Sequence, residues 1–469
     1  MRRSYNYNIF EGVTVMQFYN IQPTDDNVYE TFIKNTIDRN GDVIKFIEIL
    51  NNIEGGCSIA LESEWGNGKT FFVKQAKMIL DAYNRFVEMG LEDDKINIIK
   101  SICKSSINQE ENIKNQVTVY YDAWGNDNDT DPLMSIIYSI IEETDKSIPF
   151  KKSTKAVEIA ASIIDVIIDR DTNKLVKGIK GEDLLENARG NRELKEKIKE
   201  FFDSLLEERG DRLVIFIDEL DRCSPNYAVK LLERVKHYFS CDRVTFVFSV
   251  NINELQHTIK NCYGEGFNAC KYLDRFFDLP IPLPPVNLEK YYEYINYPDE
   301  YFTYDAVAKA VIKEFKFGLR EIAKFVSLIK KSVQTAVHNN RISQGIYGRS
   351  GREFAITYFL PIMIGLEISD VSDYKAFING RNVSPVLDIS KYFESTPLFD
   401  RFLPQGKTFE DPMIRLEDLL TQAYDAVFNH EYLDGEYSLQ VGECTFGKSL
   451  KEELIQIISL LSKYADLSL

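Results

Sequence analysis

One stretch of the chain, residues 57–82, limits the possible folds more than any other. Cys57–Leu61 is a short apolar run typical of a buried strand. The loop Ser63–Gly68 follows it directly, and Lys69–Ala82 then shows helical spacing of its apolar residues. Backbone N–H groups and a positive helix end meet in such a turn, and together they favour a bound anion. The stretch therefore predicts a phosphate-binding turn within an α/β domain.

The residue types in this turn match that chemistry. Gly66 and Gly68 allow the backbone to approach a ligand closely. Lys69 would reach the β- and γ-phosphates, and the hydroxyl of Thr70 would hold Mg²⁺. Ser63 stands where the common pattern G-x-x-x-x-G-K-[ST] has its first glycine, so one position of the pattern differs.

A second chemical signal ends another apolar run, Leu213–Ile217. Asp218 follows this run, at the carboxyl end of a predicted buried strand, where ligands of open α/β sheets gather. A carboxylate there can bind Mg²⁺ beside a phosphate loop, and the adjacent Glu219 can polarise a water that attacks the γ-phosphate. The alternative is an ordinary strand end with solvated acids, which the pairing with Lys69 and Thr70 disfavours.

Further strands are predicted at Val117–Tyr121, Val244–Val250 and Phe276–Leu283, each separated from the next by helical segments. Strands that alternate with helices indicate a mostly parallel sheet with helices on both faces. Residues 146–208 are charged, nearly free of proline and helically periodic, so they predict a helical insertion or a helical pair.

Five further positions are candidates for supporting roles. Asn251 ends the fourth strand and would either sense the γ-phosphate or cap the next helix. Arg275 would either reach the nucleotide of a neighbouring subunit or form a surface ion pair, and Arg320 would either lean over the site or lie on the surface. Asp122 would orient water or Lys69, whereas Trp124 is expected to pack in the core.

Composition narrows the classes of protein further. The net charge of −17 gives no global basic field, so a nucleic-acid partner is possible but not favoured. The apolar stretches Val157–Ile168 and Ile356–Ile368 are shorter than the ~20 residues of a membrane-spanning helix, and they predict buried helices. Seven scattered cysteines without a CxxC pair suit small buried side chains in a reducing cytoplasm, and the four histidines show no metal-ligand spacing.

Four ordered motifs resemble those of the KAP family of P-loop NTPases. The first is the phosphate loop Trp65–Thr70, and the second is the strand end Asp122–Trp124 with Pro132 downstream. The third is the acidic signature Asp218–Pro225, and the fourth is Tyr272–Phe277 before Leu279 and Pro280.

The resemblance implies a P-loop NTPase fold and Mg²⁺-dependent ATP hydrolysis. It implies that nucleotide is bound by Trp65 to Phe71, including Asn67. The candidate catalytic residues are Lys69, Glu219, Asn251 and Arg275, the last by analogy with related ring ATPases. No Asn-Lys-x-Asp motif follows the fourth strand, so ATP is favoured over GTP. Alternatives are a nucleotide-binding switch with negligible turnover and a nucleic-acid-stimulated ATPase.

The resemblance also implies partners and a setting. Related ATPases suggest a homo-oligomer or a protein effector, and some family members are linked to bacterial defence against phage. Many members carry membrane helices between the two nucleotide motifs, and none is visible in this sequence.

Four regions are predicted along the chain. Residues 1–40 form a lead-in, residues 41–285 the NTPase core, residues 286–400 a helical lid or sensor, and residues 401–469 a helical region of unknown role.

Overall fold

The computed structural model describes residues 21–86, 93–104, 113–147, 155–177, 184–239, 241–295, 297, 302–338, 350–393, 397–403, 409, 415–431 and 436–459. The chain divides into two compact units. The first unit is Ile21–Tyr294, and the described residues of the second begin at Ile295.

The first unit alternates strands and helices. Its elements are α1 (Asp25–Lys34), α2 (Asn40–Asn52), β1 (Cys57–Glu62), α3 (Lys69–Tyr83), α4 (Asp93–Lys104), β2 (Gln116–Asp122), α5 (Pro132–Ser147), α6 (Lys155–Lys177), α7 (Leu184–Arg209), β3 (Arg212–Asp218), α8 (Pro225–Tyr238), β4 (Val244–Val250), α9 (Ile252–Tyr263), α10 (Ala269–Leu273), β5 (Leu279–Pro282) and α11 (Leu288–Tyr294).

The five strands form one parallel sheet in the order β2-β3-β4-β1-β5. Strand β4 therefore lies between β1, which leads into the glycine loop, and β3, which ends at the acids. All seven residues of β3 and all seven of β4 are buried. Such continuous burial is what a central strand covered on both faces requires. The predicted α/β fold with a parallel sheet flanked by helices is confirmed.

Each face of the sheet has its own apolar core. One core contains Ile59, Val214, Phe216 and Val247 and packs against α1, α2, α3 and α4. The other contains the alternate residues of the same strands, such as Ile215, and packs against α5 to α10. Because side chains alternate along a strand, the two cores come from interleaved positions of the same apolar runs.

The helical insertion predicted over 146–208 includes the pair α6 and α7, which contribute Ala160, Ile163, Phe201 and Phe202 to the second core. Helix α1, which the sequence pattern did not indicate, begins where the Thr24 side chain accepts a hydrogen bond from the N–H of Asn27 and ends at a left-handed Asn35. Helix α4 was also not anticipated.

The last predicted strand is shorter than expected. Residues 276 and 277 turn back onto Leu273 through backbone hydrogen bonds, so β5 begins only at Leu279.

The second unit is mainly helical and also contains a short antiparallel hairpin that the sequence pattern did not indicate. Its elements are α12 (Phe302–Glu314), α13 (Leu319–His338), α14 (Gly351–Phe354), α15 (Leu360–Ser369), α16 (Val371–Ile378), α17 (Ser384–Ser390), α18 (Pro397–Asp400), α19 (Leu416–Phe428), β6 (Ser438–Val441), β7 (Cys444–Gly447) and α20 (Leu450–Ile458). A turn of π-helix, Ala355–Phe359, joins α14 to α15.

Aromatic packing organises this unit. The ring of Phe354 lies 4.8 Å from that of Phe402 and 5.3 Å from those of Tyr358 and Phe359. Every residue of Ile356–Leu366 is buried, in agreement with the buried helix predicted there. Within the described residues, no helix is long and apolar enough to cross a membrane.

None of the seven cysteines forms a disulfide, and three of them are buried. Cys270 is exposed, so the expectation that every cysteine is a buried small side chain is wrong there. Cys270 lies on the short helix α10, whose buried positions are Ala269 and Leu273.

A close backbone contact at Gly56 gives a stability prediction. A Cβ on Gly56 would lie 2.6 Å from the carbonyl oxygen of Cys241, whereas one on Gly41 would meet nothing within 4 Å. We expect Gly56→Ala to lower the free energy of unfolding by about 1–3 kcal/mol, and Gly41→Ala to raise it by up to about 1 kcal/mol. Urea denaturation of both variants measures this, and equal effects would contradict the packing described.

Candidate functional site

The glycine loop between β1 and α3 has the backbone of an anion-binding turn. Gly66 and Gly68 have φ angles of 80° and 78°, a left-handed conformation that strains other residues. Gly68 is the N-cap of α3, so the first free N–H groups of the helix face the loop. The N–H of Ser63 donates to the carbonyl of Val250 at 3.2 Å, which fastens the start of the loop to the end of β4.

Lys69 is folded back over its own loop. It is only 9% exposed, and its Nζ donates to the carbonyl oxygens of Ser63 at 2.5 Å and Glu64 at 3.0 Å. Burial lowers the pKa of the Lys69 ammonium, and the nearby carboxylates of Asp221 and Asp218 oppose this shift. The loop thus holds a partly desolvated cation whose described hydrogen-bond partners are backbone carbonyl oxygens.

The carboxylate of Asp218 is held in one orientation at the end of β3. It is 1% exposed, and Tyr120 donates its hydroxyl to Oδ2 at 3.0 Å. The N–H of Glu219 donates to Oδ1 at 3.0 Å. Burial and the Asp218 charge both raise the pKa of the Tyr120 hydroxyl, so Tyr120 remains a donor at neutral pH. Two of the carboxylate's lone-pair directions remain available for a cation.

Glu219 has an unusual backbone and an ion-pair partner. Its φ of 59° is left-handed, which is costly for a residue with a side chain and is a feature of functional sites. Its Oε1 lies 2.8 Å from Nη1 of Arg222. Burial raises the pKa of the Glu219 carboxyl, Arg222 opposes this, and Asp218 raises it further. A carboxylate with a raised pKa is a better proton acceptor for water.

A direct side-chain contact joins the loop to the acidic strand end. Nε1 of Trp65 donates to Oδ2 of Asp221 at 2.5 Å, across 156 positions of sequence. Beside this contact, the guanidinium of Arg222 lies 5.7 Å from the ring centre of Trp124. The expectation that Trp124 packs in the core is wrong, because its side chain is 53% exposed and pairs with that cation at the rim.

The end of β4 lies between these two parts. Ser249 is paired in register with both Leu61 of β1 and Asp218 of β3, so all three side chains point to the same face of the sheet. The Oγ atom of Ser249 is buried and has no hydrogen-bond partner in the described chain. Asn251 caps α9, since its Oδ1 accepts from the N–H groups of residues 253 and 254.

Other residues singled out from the sequence lie at or near the same edge of the sheet. Thr70 is half-buried on the first turn of α3. Phe71 packs its ring against the first core, so only its backbone faces the loop. Asp122 is paired with Asp218 across β2 and β3, and its charge acts on Glu219.

Two arginines that the sequence analysis proposed for the site lie at exposed positions. Arg275 is exposed in the turn after α10 and takes part in no ion pair among the described residues. Arg320 is exposed on the first turn of α13 and belongs to the second compact unit.

Three residues at the site were not found from the sequence: Tyr120, Ser249 and Arg39. Tyr120 and Ser249 could have been found by counting back from Asp218 along paired strands, because residues in register share a face. Arg39 gave no signal, because it donates to a backbone carbonyl, that of Asn67 at 2.6 Å, 28 positions away.

The residues present fit a triphosphate with Mg²⁺. The left-handed glycines form a turn lined by N–H groups, and the hydroxyl of Thr70 and the carboxylate of Asp218 supply hard oxygen ligands. At the same end of the sheet, the Oγ of Ser249 is a buried polar atom that has no hydrogen-bond partner among the described residues. Mg²⁺ keeps several waters and phosphate oxygens as ligands, so two protein ligands are enough.

A parallel sheet with a glycine loop after one strand and paired acids after another defines a nucleotide-binding P-loop NTPase domain. A family model for the KAP family P-loop domain matches residues 42–305, more than half of the chain. The chain therefore belongs to the KAP family of P-loop NTPases. A search of curated proteins finds no match.

Proposed function

We propose that the protein hydrolyses ATP with Mg²⁺ and uses the cycle as a conformational switch or motor that acts on a protein partner or on another copy of the chain. The observation that carries this proposal is the hydrogen bond between Trp65 of the loop and Asp221 of the acidic strand end. This contact means that one ligand can touch both parts.

Binding uses the loop from Trp65 to Phe71. Backbone N–H groups of this segment and the Lys69 ammonium bind phosphate oxygens. Thr70 and Asp218 hold Mg²⁺, which when bound neutralises charge on the phosphate oxygens. The hydrogen bond from Tyr120 keeps the Asp218 carboxylate in one orientation for binding Mg²⁺.

Hydrolysis requires a base and stabilisation of negative charge. Glu219 accepts the proton of the attacking water, for which its raised pKa suits it. The cap of α9 uses only Oδ1 of Asn251, so its Nδ2 group can donate to that water or to the γ-phosphate. Arg275, exposed and without an ion pair among the described residues, supplies positive charge to the site of a neighbouring copy.

A second candidate, a nucleotide-binding switch with negligible turnover, is favoured by the resting contacts. Lys69 is bound to its own loop, and Arg222 is bound to Glu219. Both contacts must break before water is activated, which makes turnover by the isolated chain slow. A nucleic-acid-stimulated ATPase is a third candidate, and nothing in the site favours it.

Steady-state phosphate release distinguishes these candidates. We expect Glu219→Gln to lower the rate by about 10²–10⁴-fold, because the general base is lost, while binding of ATP is retained. We expect Lys69→Ala to abolish binding of ATP. Turnover is measured with ATP and with GTP, with and without added DNA or RNA, and binding by emission of the two tryptophans, which are about half exposed.

Each result separates one candidate from the others. Wild-type turnover that Glu219→Gln abolishes supports the enzyme. Tight ATP binding with no phosphate release from either protein identifies the switch instead. Stimulation by DNA or RNA that is lost at high salt would identify the nucleic-acid-dependent ATPase. Equal ATP affinity for the wild type and Lys69→Ala would contradict the assigned phosphate site.

The hydrogen bond from Tyr120 predicts a specific dependence on Mg²⁺. We expect Tyr120→Phe to raise the Mg²⁺ concentration for half-maximal turnover by about 3–10-fold, because the Asp218 carboxylate loses a donor that orients it. The matched control is Tyr121→Phe, since the Tyr121 hydroxyl bonds to Ser135 at 2.9 Å in the other core. A similar shift in both variants would contradict the orienting role.

The biological task that we propose is bacterial defence against phage, which rests on the family resemblance alone. Cells that express the wild-type chain with its neighbouring genes should plate phage less efficiently than cells that express Glu219→Gln. Equal plating efficiencies across a broad set of phages would reject this task and leave the ATPase proposal unaffected.

A further inference from the structure

Arg39 joins the phosphate loop to the segment after β5 through two side-chain hydrogen bonds. Its Nη1 donates to the carbonyl oxygen of Asn67 at 2.6 Å, and its Nη2 donates to the carbonyl oxygen of Pro284. Arg39 lies three residues before the segment that the family model matches, at the N-cap of α2. No role follows for it from the P-loop motifs.

The guanidinium is buried without a carboxylate partner. Arg39 is 3% exposed, and its Nε has no hydrogen-bond partner in the described chain. Burial lowers the pKa of Arg39 to about 10, with a small opposing effect of Asp42, so the side chain stays charged at neutral pH. Burying a charge without a counter-ion is costly, and the carbonyl oxygens of Asn67 and Pro284 offset part of that cost.

The geometry of the peptide bond relates the contact at Asn67 to the neighbouring N–H group. The carbonyl of Asn67 and the N–H of Gly68 belong to one planar trans peptide, so they point in opposite directions. A donor that fixes the Asn67 carbonyl toward Arg39 therefore fixes the Gly68 N–H on the side away from Arg39. Gly68 has a φ of 78° and few intrinsic restraints, so without such a donor this peptide would rotate readily.

The turn that carries Arg39 is itself anchored. The carbonyl of Ile37 accepts from the N–H of Asn287 at 3.2 Å, and Oδ1 of Asp38 lies 2.5 Å from Nζ of Lys290. Three successive residues, 37 to 39, therefore bind the segment 284–290. A guanidinium held on a fixed turn gives a fixed reference point for the loop.

We propose that Arg39 is a positioning residue that orients the Asn67–Gly68 peptide, so that the Gly68 N–H is directed toward a phosphate group of the bound nucleotide. This inference rests on the proposed nucleotide site. It adds a residue that acts through the backbone and does not touch the ligand.

The test uses the full chain and two measurements. Amide hydrogen exchange without nucleotide is followed in peptides that cover residues 63–70, normalised to peptides from β3. Affinity for Mg·ATP is measured by tryptophan emission. The variants are Arg39→Met, Arg39→Lys and the control Arg212→Met.

Arg212 is a matched control at the other end of the sheet. It is also buried, at 6% exposure, and its guanidinium donates to the carbonyl oxygens of Gly55 at 2.6 Å and Asp242 at 3.2 Å. These carbonyls precede β1 and β4, at the amino ends of the strands. Its loss should destabilise the fold in the same way without reaching the phosphate loop.

We expect Arg39→Met to speed loop exchange and to weaken Mg·ATP binding, each by about 10-fold or more, because two charged hydrogen bonds are lost. Arg39→Lys should fall between the wild type and Arg39→Met, since an ammonium reaches one carbonyl but not both. Arg212→Met should change neither quantity relative to its effect on global exchange.

Several results would overturn the inference. Equal loop exchange and equal ATP affinity in wild type and Arg39→Met would do so, as would equal effects of Arg39→Met and Arg212→Met. If Arg39→Met does not fold, a rate of loop exchange in Arg39→Lys equal to that of the wild type would also overturn the inference. If the wild type binds no nucleotide, the proposed function fails, and the exchange comparison still decides whether Arg39 holds the loop.

Discussion

The parallel pairing of β1 with β4, and of β4 with β3, is the constraint on which the site depends. Parallel strands end at the same edge, so the loop after β1 and the acids after β3 meet there although 156 positions separate Trp65 from Asp221. The intervening strand β4 sets their separation at two strand spacings, about 10 Å between backbones. Ser249, at the end of β4, lies between them, and its buried Oγ has no hydrogen-bond partner among the described residues.

The charged groups beside these strand ends already have hydrogen-bond or ion-pair partners within the described chain. Lys69 binds loop carbonyls, Glu219 binds Arg222, and Asp218 accepts from Tyr120 and from a backbone N–H. Each contact offsets part of the cost of burying a charge. Binding of the proposed nucleotide would have to replace some of these contacts, those of Lys69 and Glu219 among them.

Much of the fold followed from local pattern. The apolar runs at 57–61, 213–217 and 244–250 became central strands within one residue of their predicted ends, because burial on both faces leaves an unambiguous signal. Helix α1 and the β6–β7 hairpin escaped because their patterns are weak and short. Trp124 was assigned to the core on its size, but the cation of Arg222 is what holds it at the rim.

The site was predictable in part for a different reason. The sequence predicts Lys69, Thr70 and Asp218 because binding phosphate and Mg²⁺ requires those residue types at those positions of the motifs. The contact of Tyr120 depends on strand register, and the contacts of Arg39 are made to backbone carbonyls. Neither kind of contact produces a recognisable residue pattern in the sequence. The N-cap role of Asn251 was one of two open interpretations, and the structure shows that the cap is formed. Its catalytic role stays a prediction.

The short edge strand β5 has a consequence for how copies of this chain can associate. Pro280 and Pro282 remove two of its four amide donors, so a strand from another molecule would find a broken ladder there. Sheets of two copies are thereby discouraged from fusing edge to edge, a route that leads to uncontrolled aggregation.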